Sequence, residues 1–321
     1  MAEPLWLLSV LFGLALITAA GLTYTAYRRD MARIRAHLAA GSQMAETAAG
    51  VIEYAEAGHG PPVLVIHGAA GGFDQGLLIA HENFRPGFRI IAPSRFGYLR
   101  TPFPRDASPA AQADAHAALL DSLGIDRVIV LGFSAGGRSA IQLTLRHPEK
   151  VRALILESLV MAAPFWLPDI NSFGVGRLLL AIARAGIDFP YWLATRIAPA
   201  LMIRFSGAPS RIYAAAPRSE RDFLVAVMRG MQPLSARLTG LANDAVNMSN
   251  AWPVDKIGVP TLIIAMADDL FRSLPTARAI AARIEGAKLV TFDSGSHFLI
   301  GHHDEIRTEV ADFIARLKTA G

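Results

Sequence analysis

Cysteine is absent from the 321 residues of this chain. Its absence excludes disulfide bonds, thiolate metal sites and cysteine nucleophiles. Charged residues are also scarce, at 18% of the chain, whereas 52% of the residues are hydrophobic. The 31 Lys and Arg residues exceed the 27 Asp and Glu residues by only four, and no aromatic–basic pattern of an RNA-binding motif accompanies them. We therefore expect no nucleic-acid partner.

Charge is missing altogether from the 24 positions between Glu3 and Arg28. A helix that crosses the hydrocarbon core of a bilayer needs about 20 apolar residues in succession. Trp6 near one end of the run and Tyr27 near the other are typical of the two membrane interfaces. No Lys or Arg precedes the run, and it is longer than the apolar part of a secretory signal peptide. We predict a transmembrane anchor over residues 1–27, with a signal peptide and a soluble helix as the alternatives.

A basic segment follows the apolar run directly, with four arginines: Arg28, Arg29, Arg33 and Arg35. Because positive residues stay on the cytoplasmic side of a membrane span, this segment predicts a single-pass protein whose remaining chain is cytoplasmic. We interpret residues 28–48 as a basic helical linker beside the membrane. Its arginines suit anionic lipid headgroups, so the expected partner is the lipid bilayer.

Short apolar runs alternate with helical patterns from about residue 49 onward. The predicted strands are residues 62–67, 88–92, 127–131, 152–157, 260–265 and 287–292. The predicted helices are residues 110–123, 137–146 and 304–317, the first of them capped by Ser108. Strands that are apolar on both faces and separated by helices indicate an α/β fold with a mostly parallel sheet covered by helices on both faces. Such sheets carry their active sites at the carboxyl ends of the strands.

One long segment, residues 160–256, breaks this alternation, because it contains no convincing strand. It is too long for a plain connection in a compact domain. We interpret it as a helical cap between two parts of a core domain, residues 49–159 and 257–321. Its apolar positions form either a substrate-facing wall or ordinary cap packing, and they are Leu178–Ile182, Phe189, Tyr191, Trp192 and Met202–Phe205.

The segment Gly132–Gly136 has the pattern Gly-x-Ser-x-Gly, with Ser134 at its centre. It lies between a predicted strand and a predicted helix, where this pattern forms a tight turn that holds a nucleophilic serine. Its glycines avoid the clashes that side chains would cause. The alternative is a glycine-rich turn with an idle serine.

A serine nucleophile needs a histidine base and an orienting carboxylate, which follow it along the chain in the order acid, then histidine. His297 comes directly after the last predicted strand and is the expected base. Asp268 and Asp269 follow the strand before it, and Glu157 ends an earlier strand, so the acid is open among these three.

Three other histidines are interpreted without a catalytic or metal-binding role. His67 precedes the serine and ends a strand, which favours a structural role. His302 and His303 lie beside Asp304 and Glu305, but their spacing fits no usual metal-ligand pattern, and we expect a solvated turn there.

From about Val51 to the C terminus, the chain resembles the α/β-hydrolase superfamily. The matching segments, in order, are His67-Gly68, Pro93–Tyr98, the Ser134 turn, Pro260–Ile264 with its Asp-Asp, and Gly295–His297. Met266 replaces the glycine of the family's Gly-x-x-Asp. The resemblance implies that Asp269 is the acid and that the backbone N–H groups of Ala69 and Ala135 form the oxyanion hole.

The expected function is a serine hydrolase that cleaves a lipophilic carboxylic ester through an acyl-enzyme on Ser134, without a metal or organic cofactor. An N-terminal span followed by a hydrolase is similar to membrane-bound monoacylglycerol lipases. The alternatives are a cofactor-free C–C bond hydrolase or thioesterase with the same triad, and a non-catalytic sensor that binds an apolar ligand.

Overall fold

A computed structural model of the chain describes residues 3–161, 181–182, 184–205, 207–247 and 252–319. Its strands are β1 Gln43–Thr47, β2 Gly50–Ala57, β3 Pro62–Ile66, β4 Arg89–Pro93, β5 Val128–Phe133, β6 Val151–Glu157, β7 Thr261–Met266 and β8 Lys288–Phe292. Its α-helices are α1 Glu3–Ala40, α2 Phe73–Asn83, α3 Pro109–Ser122, α4 Gly136–Arg146, α5 Phe189–Ile197, α6 Pro199–Phe205, α7 Ser210–Ala215, α8 Arg218–Gly230, α9 Leu238–Val246, α10 Ser273–Ala281 and α11 His303–Thr319.

The eight strands form one sheet in the order β1-β2-β4-β3-β5-β6-β7-β8. The pairs β1–β2 and β2–β4 are antiparallel, and every other pair is parallel. Because β5, β6, β7 and β8 run parallel and adjacent, the loops that follow them meet at one edge of the sheet.

Both faces of the sheet are buried at its central strands, β3–β7. In β3, Leu64 packs with α3, α4 and α10 on one face, whereas Val63 and Val65 pack with α2, α11 and cap residues on the other. All six residues of β5 are buried. Apolar contact on both faces explains why the parallel strands read as continuous apolar runs.

The predicted parallel strands agree with the observed ones within two residues at each end. The capped helix is also confirmed, since Ser108 Oγ accepts a hydrogen bond from the N–H of Ala111 at 3.2 Å. The helical linker over residues 28–48 is correct as far as Ala40 but wrong beyond it, because Gln43–Thr47 pairs with β2 as an edge strand. The polar, mostly exposed sequence of β1 carries no apolar signal.

Helix α1 is long and apolar enough to cross a membrane, and the 18-residue apolar window in it is 0% buried. Near its C-terminal half the helix contacts the cap. Tyr27 and Met31 are buried against Trp192 of α5, and Asp30 accepts hydrogen bonds from Trp192 Nε1 and from Arg196. The apolar half of α1 thus stands clear of the domain, while its basic half is attached to it.

The described residues between 181 and 247 form helices α5–α9 and no strand, as the cap prediction requires. Leu178, Leu179 and Leu180 lie outside the described residues. Phe189 and Trp192 pack around the ring of Tyr27, and Tyr191 donates a hydrogen bond to the carbonyl oxygen of Met228 at 2.9 Å. Of the two interpretations of these aromatic residues, the structure shows ordinary packing.

Candidate active site

Ser134 sits on a turn that glycines alone permit. Its φ of 51° is in the left-handed region, which side chains rarely adopt. A Cβ at Gly136 would lie 2.4 Å from the carbonyl oxygens of Ile66 and His67, and one at Gly132 would lie 2.7 Å from Gly137 Cα. The end of β3 and the start of α4 therefore press against the turn and hold Ser134 in its strained conformation.

His297 and Asp269 converge on Ser134 from the loops after β8 and β7. The Oγ of Ser134 lies 2.9 Å from Nε2 of His297, and Nδ1 of His297 lies 2.9 Å from Oδ2 of Asp269. All three residues are buried. An ionised Asp269 can only accept, so Nδ1 carries the ring proton and Nε2 is left to accept the proton of the serine hydroxyl.

Asp268 and Glu157, the two other carboxylates considered, point elsewhere. Asp268 accepts a hydrogen bond from the N–H of Ser296 at 2.8 Å. Glu157 accepts one from Asn83 Nδ2 at 3.0 Å, and burial raises its pKa to about 8 despite that bond. Of the three carboxylates, Asp269 is the one that contacts His297, and its second oxygen accepts from the N–H of Phe271 at 2.8 Å.

The imidazole of His297 is enclosed by aromatic rings. The ring centroids of Phe271 and Phe133 lie 4.7 and 5.2 Å from its own. The carbonyl oxygen of His297 accepts a hydrogen bond from Ser158 Oγ at 2.8 Å. From the cap, Gly207 comes so close that a Cβ there would lie 2.8 Å from His297 Cβ. Packing on several sides fixes the imidazole orientation.

Ala69 and Ala135 lie beside Ser134. A Cβ at Gly68 would come within 3.1 Å of Ser134 Cβ, so the segment that leads into Ala69 touches the turn. Within the described part of the chain, neither the N–H of Ala69 nor that of Ala135 donates a hydrogen bond. Two backbone donors that are unused among the described residues therefore lie near the serine, as the predicted oxyanion hole would require.

His67 is held in one orientation by the backbone. Its Nε2 accepts from the N–H of Arg95 at 3.0 Å, and its Nδ1 lies 2.7 Å from the carbonyl oxygen of Gly68. Burial, aided by the charge of Arg95, lowers the pKa of His67 well below its usual value. A neutral, fully bonded imidazole agrees with the predicted structural role.

A buried ion pair near the turn is absent from the sequence-based predictions. Arg95, just after β4, binds the carboxylate of Asp244 in α9 through two hydrogen bonds of 2.6 and 2.8 Å. Burial alone would raise the pKa of Asp244, but the charge and hydrogen bonds of Arg95, together with Arg138 and Tyr98, lower the net pKa. A charged residue directly after a buried strand was the available signal, although nothing marked its partner 149 residues away.

The predicted solvated turn at residues 302–305 is wrong for His303. This side chain is buried, with Nε2 3.1 Å from the carbonyl oxygen of Phe298 and Nδ1 beside the carboxylate of Glu220. It connects α11 to α8 of the cap. Within the described ranges, no group of three or more His, Cys, Asp or Glu residues could hold a metal ion.

Comparison with known proteins places the fold. The α/β-hydrolase fold family matches residues 61–304. A 2-hydroxymuconate semialdehyde hydrolase of Pseudomonas putida is 27% identical over 269 residues, which are 80% of this chain and 88% of that protein. The hydrolase YcgS of Bacillus subtilis is 37% identical over 137 residues, 40% of this chain, and the match spans only 45% of YcgS.

Among solved structures, an α/β hydrolase fold protein from Nakamurella multipartita is similar, with a TM-score of 0.69 and 29% identity, over 87% of this chain and 100% of that one. The family match covers most of the chain and strands β3–β8. The chain belongs to the α/β-hydrolase fold family and is a hydrolase of that kind.

Proposed function

We propose that the protein is a serine hydrolase that cleaves a carboxylic ester. The observation that carries this proposal is the continuous hydrogen-bonded relay from Ser134 Oγ through both ring nitrogens of His297 to Asp269, with two distances of 2.9 Å. A hydroxyl becomes a useful nucleophile when a neighbouring base takes its proton as it attacks. This relay supplies the base and its orienting carboxylate.

In the proposed reaction, Ser134 Oγ attacks the ester carbonyl while its proton passes to Nε2 of His297. The tetrahedral intermediate collapses, the alcohol leaves with that proton, and an acyl-enzyme remains on Ser134. A water molecule then attacks the acyl carbon, giving its proton to His297, which returns it to Ser134 as the acid is released. Asp269 stabilises the imidazolium in both halves.

The negative charge that forms on the carbonyl oxygen is stabilised by hydrogen bonds from the N–H groups of Ala69 and Ala135. In other hydrolases one such donor contributes about 3 kcal/mol to the transition state. Both groups are free of other acceptors in the described chain, so neither has to break a bond in order to act.

We further propose a lipophilic substrate, such as a monoacylglycerol or a similar acyl ester. The support is the apolar half of α1, which is exposed in the structure and suits a membrane span. With Arg28, Arg29, Arg33 and Arg35 on the cytoplasmic side, the hydrolase domain faces the cytoplasm. The bilayer then supplies both the anchor and the substrate.

Covalent labelling with a fluorophosphonate tests the proposal on the full chain in detergent. We expect labelling of the wild-type protein, none of Ser134→Ala, and full labelling of the control Ser122→Ala, whose hydroxyl donates to the carbonyl oxygen of Leu119 in α3. A wild-type protein that folds and stays unlabelled would contradict the proposal and favour a non-catalytic ligand-binding protein.

Rates on p-nitrophenyl esters of increasing acyl length test the substrate class. We expect kcat/KM to rise from acetyl to medium and long chains, and a sharp optimum at acetyl would contradict the lipophilic substrate.

The second candidate, a C–C bond hydrolase, is favoured by the similarity to 2-hydroxymuconate semialdehyde hydrolase. Turnover of that semialdehyde with no turnover of esters would select it.

A further inference from the structure

Asp244 is a carboxylate of the cap that lies next to the hydrolytic centre rather than in it. It sits near the end of α9, is buried, and accepts hydrogen bonds from three donors of the core domain. Two come from the guanidinium of Arg95, at 2.6 and 2.8 Å. The third comes from the hydroxyl of Tyr98 at 2.5 Å.

Arg95 and Tyr98 also contact the loop that contains the first proposed oxyanion donor, the N–H of Ala69. Arg95 donates from Nε to the carbonyl oxygen of His67 and from Nη2 to that of Gly68, both at 3.0 Å. The hydroxyl of Tyr98 accepts from the N–H of Ala70 at 3.3 Å. Ala69 is therefore fixed on both sides by groups that Asp244 holds in place.

A second set of hydrogen bonds connects Asp244 to the segment of the other proposed oxyanion donor, the N–H of Ala135. Arg138 of α4 donates from Nη1 to the backbone carbonyl oxygen of Asp244 at 2.8 Å and to that of Asn247 at 3.0 Å. Its Nε donates to the carbonyl oxygen of Ala135 at 3.3 Å, and its Nη2 lies 3.6 Å from the Asp244 carboxylate. One cap residue is thus linked, through Arg95, Tyr98 and Arg138, to the segments on both sides of the proposed oxyanion hole.

The effect of an oxyanion donor depends strongly on its position. Donors act on an oxyanion at 2.7–3.1 Å, and a displacement of about 1 Å can cost roughly 100-fold in rate. Ala69 and Ala135 belong to different loops, so their spacing needs a common support. We propose that Asp244 is the positioning residue that sets the two oxyanion donors, through Arg95 and Tyr98 on one side and Arg138 on the other.

Packing alone does not call for such a network. A buried ion pair contributes little net stability over an apolar pair of the same size. The cap also has another ion pair to the core domain, in which Arg237 binds Asp74 of α2 at 2.7 Å and is fully buried. Among the hydrogen bonds of the described residues, none joins that pair to residues 67–70 or to Ala135, so it serves as a matched control.

The inference rests on the proposed function, and its test separates the two. Asp244→Asn and Asp74→Asn are compared in kcat, KM and thermal midpoint. Affinity is measured for a trifluoromethyl ketone, which forms a tetrahedral oxyanion on serine, and for the matching secondary alcohol, which does not. For Asp244→Asn we expect kcat and ketone affinity to fall together, by roughly 10- to 100-fold. KM and alcohol affinity should stay within about threefold, since ground-state binding does not use the oxyanion donors.

Asp74→Asn is expected to lower the thermal midpoint while leaving kcat and ketone affinity near wild type. Equal effects of the two variants on kcat, equal loss of ketone and alcohol affinity, or wild-type kinetics of Asp244→Asn would each overturn the inference. Should Asp244→Asn not fold, Tyr98→Phe replaces it, because it removes only the hydroxyl between Asp244 and Ala70. We expect a selective loss of ketone affinity there too, and no selective loss would overturn the inference. An unlabelled wild type would instead refute the proposed function itself.

Discussion

At the scale of single residues, adjacent side chains of the same type make different contacts because the backbone directs them differently. Asp268 and Asp269 are adjacent, yet one caps the N–H of Ser296 and the other meets the imidazole of His297. Glu157, also at a strand end, turns toward Asn83. Strand-end position therefore leaves three candidate acids, and of these three Asp269 alone has its carboxylate against the His297 imidazole.

This difference predicts unequal effects of two conservative substitutions. Asp269→Asn removes the acceptor that orients the His297 tautomer, and we expect kcat to fall by roughly 10³- to 10⁴-fold. Asp268→Asn weakens one hydrogen bond next to His297, worth about 1 kcal/mol or roughly fivefold in rate. Steady-state kinetics on a p-nitrophenyl ester would measure both, and similar losses in the two variants would contradict the assignment.

Glu157 predicts a dependence of stability on pH. Burial raises its pKa from 4.5 to about 8, so between these values the folded state binds more protons than the unfolded state. The contribution of this group is therefore fully present below pH 4.5 and is lost as the pH rises toward 8, by at most about 1.4 kcal/mol per pH unit.

Glu157→Gln keeps the hydrogen bond from Asn83 but cannot ionise, so its stability should fall less than that of the wild type between about pH 5 and pH 8. Thermal unfolding across that range measures the difference. Glu149→Gln, at an exposed position, should follow the wild type. Parallel curves for Glu157→Gln and wild type would show that Glu157 ionises freely in the folded state.

At the scale of elements, helix α5 joins the cap to α1. Trp192 is buried among Tyr27, Met31 and Phe189, and the guanidinium of Arg196 lies 4.0 Å from its ring centroid. The cap is thus attached to α1 through α5, in addition to its contacts with the core domain through Asp244, Arg237 and Glu220.

Trp192→Ala should loosen the contact between α1 and α5 without disturbing the contacts of the cap with the core domain. Removal of a buried Trp side chain costs about 3–5 kcal/mol, which here falls on the α1–α5 contact. We expect faster hydrogen–deuterium exchange in α5 and in the C-terminal half of α1, with β3–β7 unchanged. Phe103→Ala, at a side chain that is 50% exposed, is the control. Unchanged exchange in α5 would show that Trp192 does not hold this contact.

The elements also show how far sequence patterns reach. The parallel strands were predictable because burial on both faces leaves a continuous apolar run, as in β5. Strand β1 was not, because an exposed edge strand imposes no such pattern. The order of serine, acid and histidine could be predicted because each follows a strand. The Arg95–Asp244 pair could not, since a cap helix docks through tertiary contacts that leave no local periodicity.

At the scale of the whole molecule, α1 raises the question of where the protein resides. We predict that the full chain stays with membranes after alkaline carbonate extraction and that a protease added to the cytoplasmic face removes the hydrolase domain. A double variant, Leu11→Arg with Ile17→Arg, adds two charges at positions that are exposed on α1. Each costs about 3 kcal/mol near the centre of a bilayer, so this variant should be extracted. Release of the wild type by carbonate, or loss of its N terminus by cleavage, would contradict the anchor.

Helix α1 runs without a break from Glu3 to Ala40, and Tyr27, which ends its apolar run, touches Phe189 and Trp192 of the cap. Inserted in a bilayer, it would be a rigid rather than a flexible connection between the membrane and the hydrolase domain. The catalytic domain could then neither tumble freely nor drift from the headgroup layer. Its turnover would follow the mole fraction of substrate in the lipid, so that dilution of the vesicles in buffer would leave the rate unchanged, whereas dilution of the substrate with inert lipid would lower it.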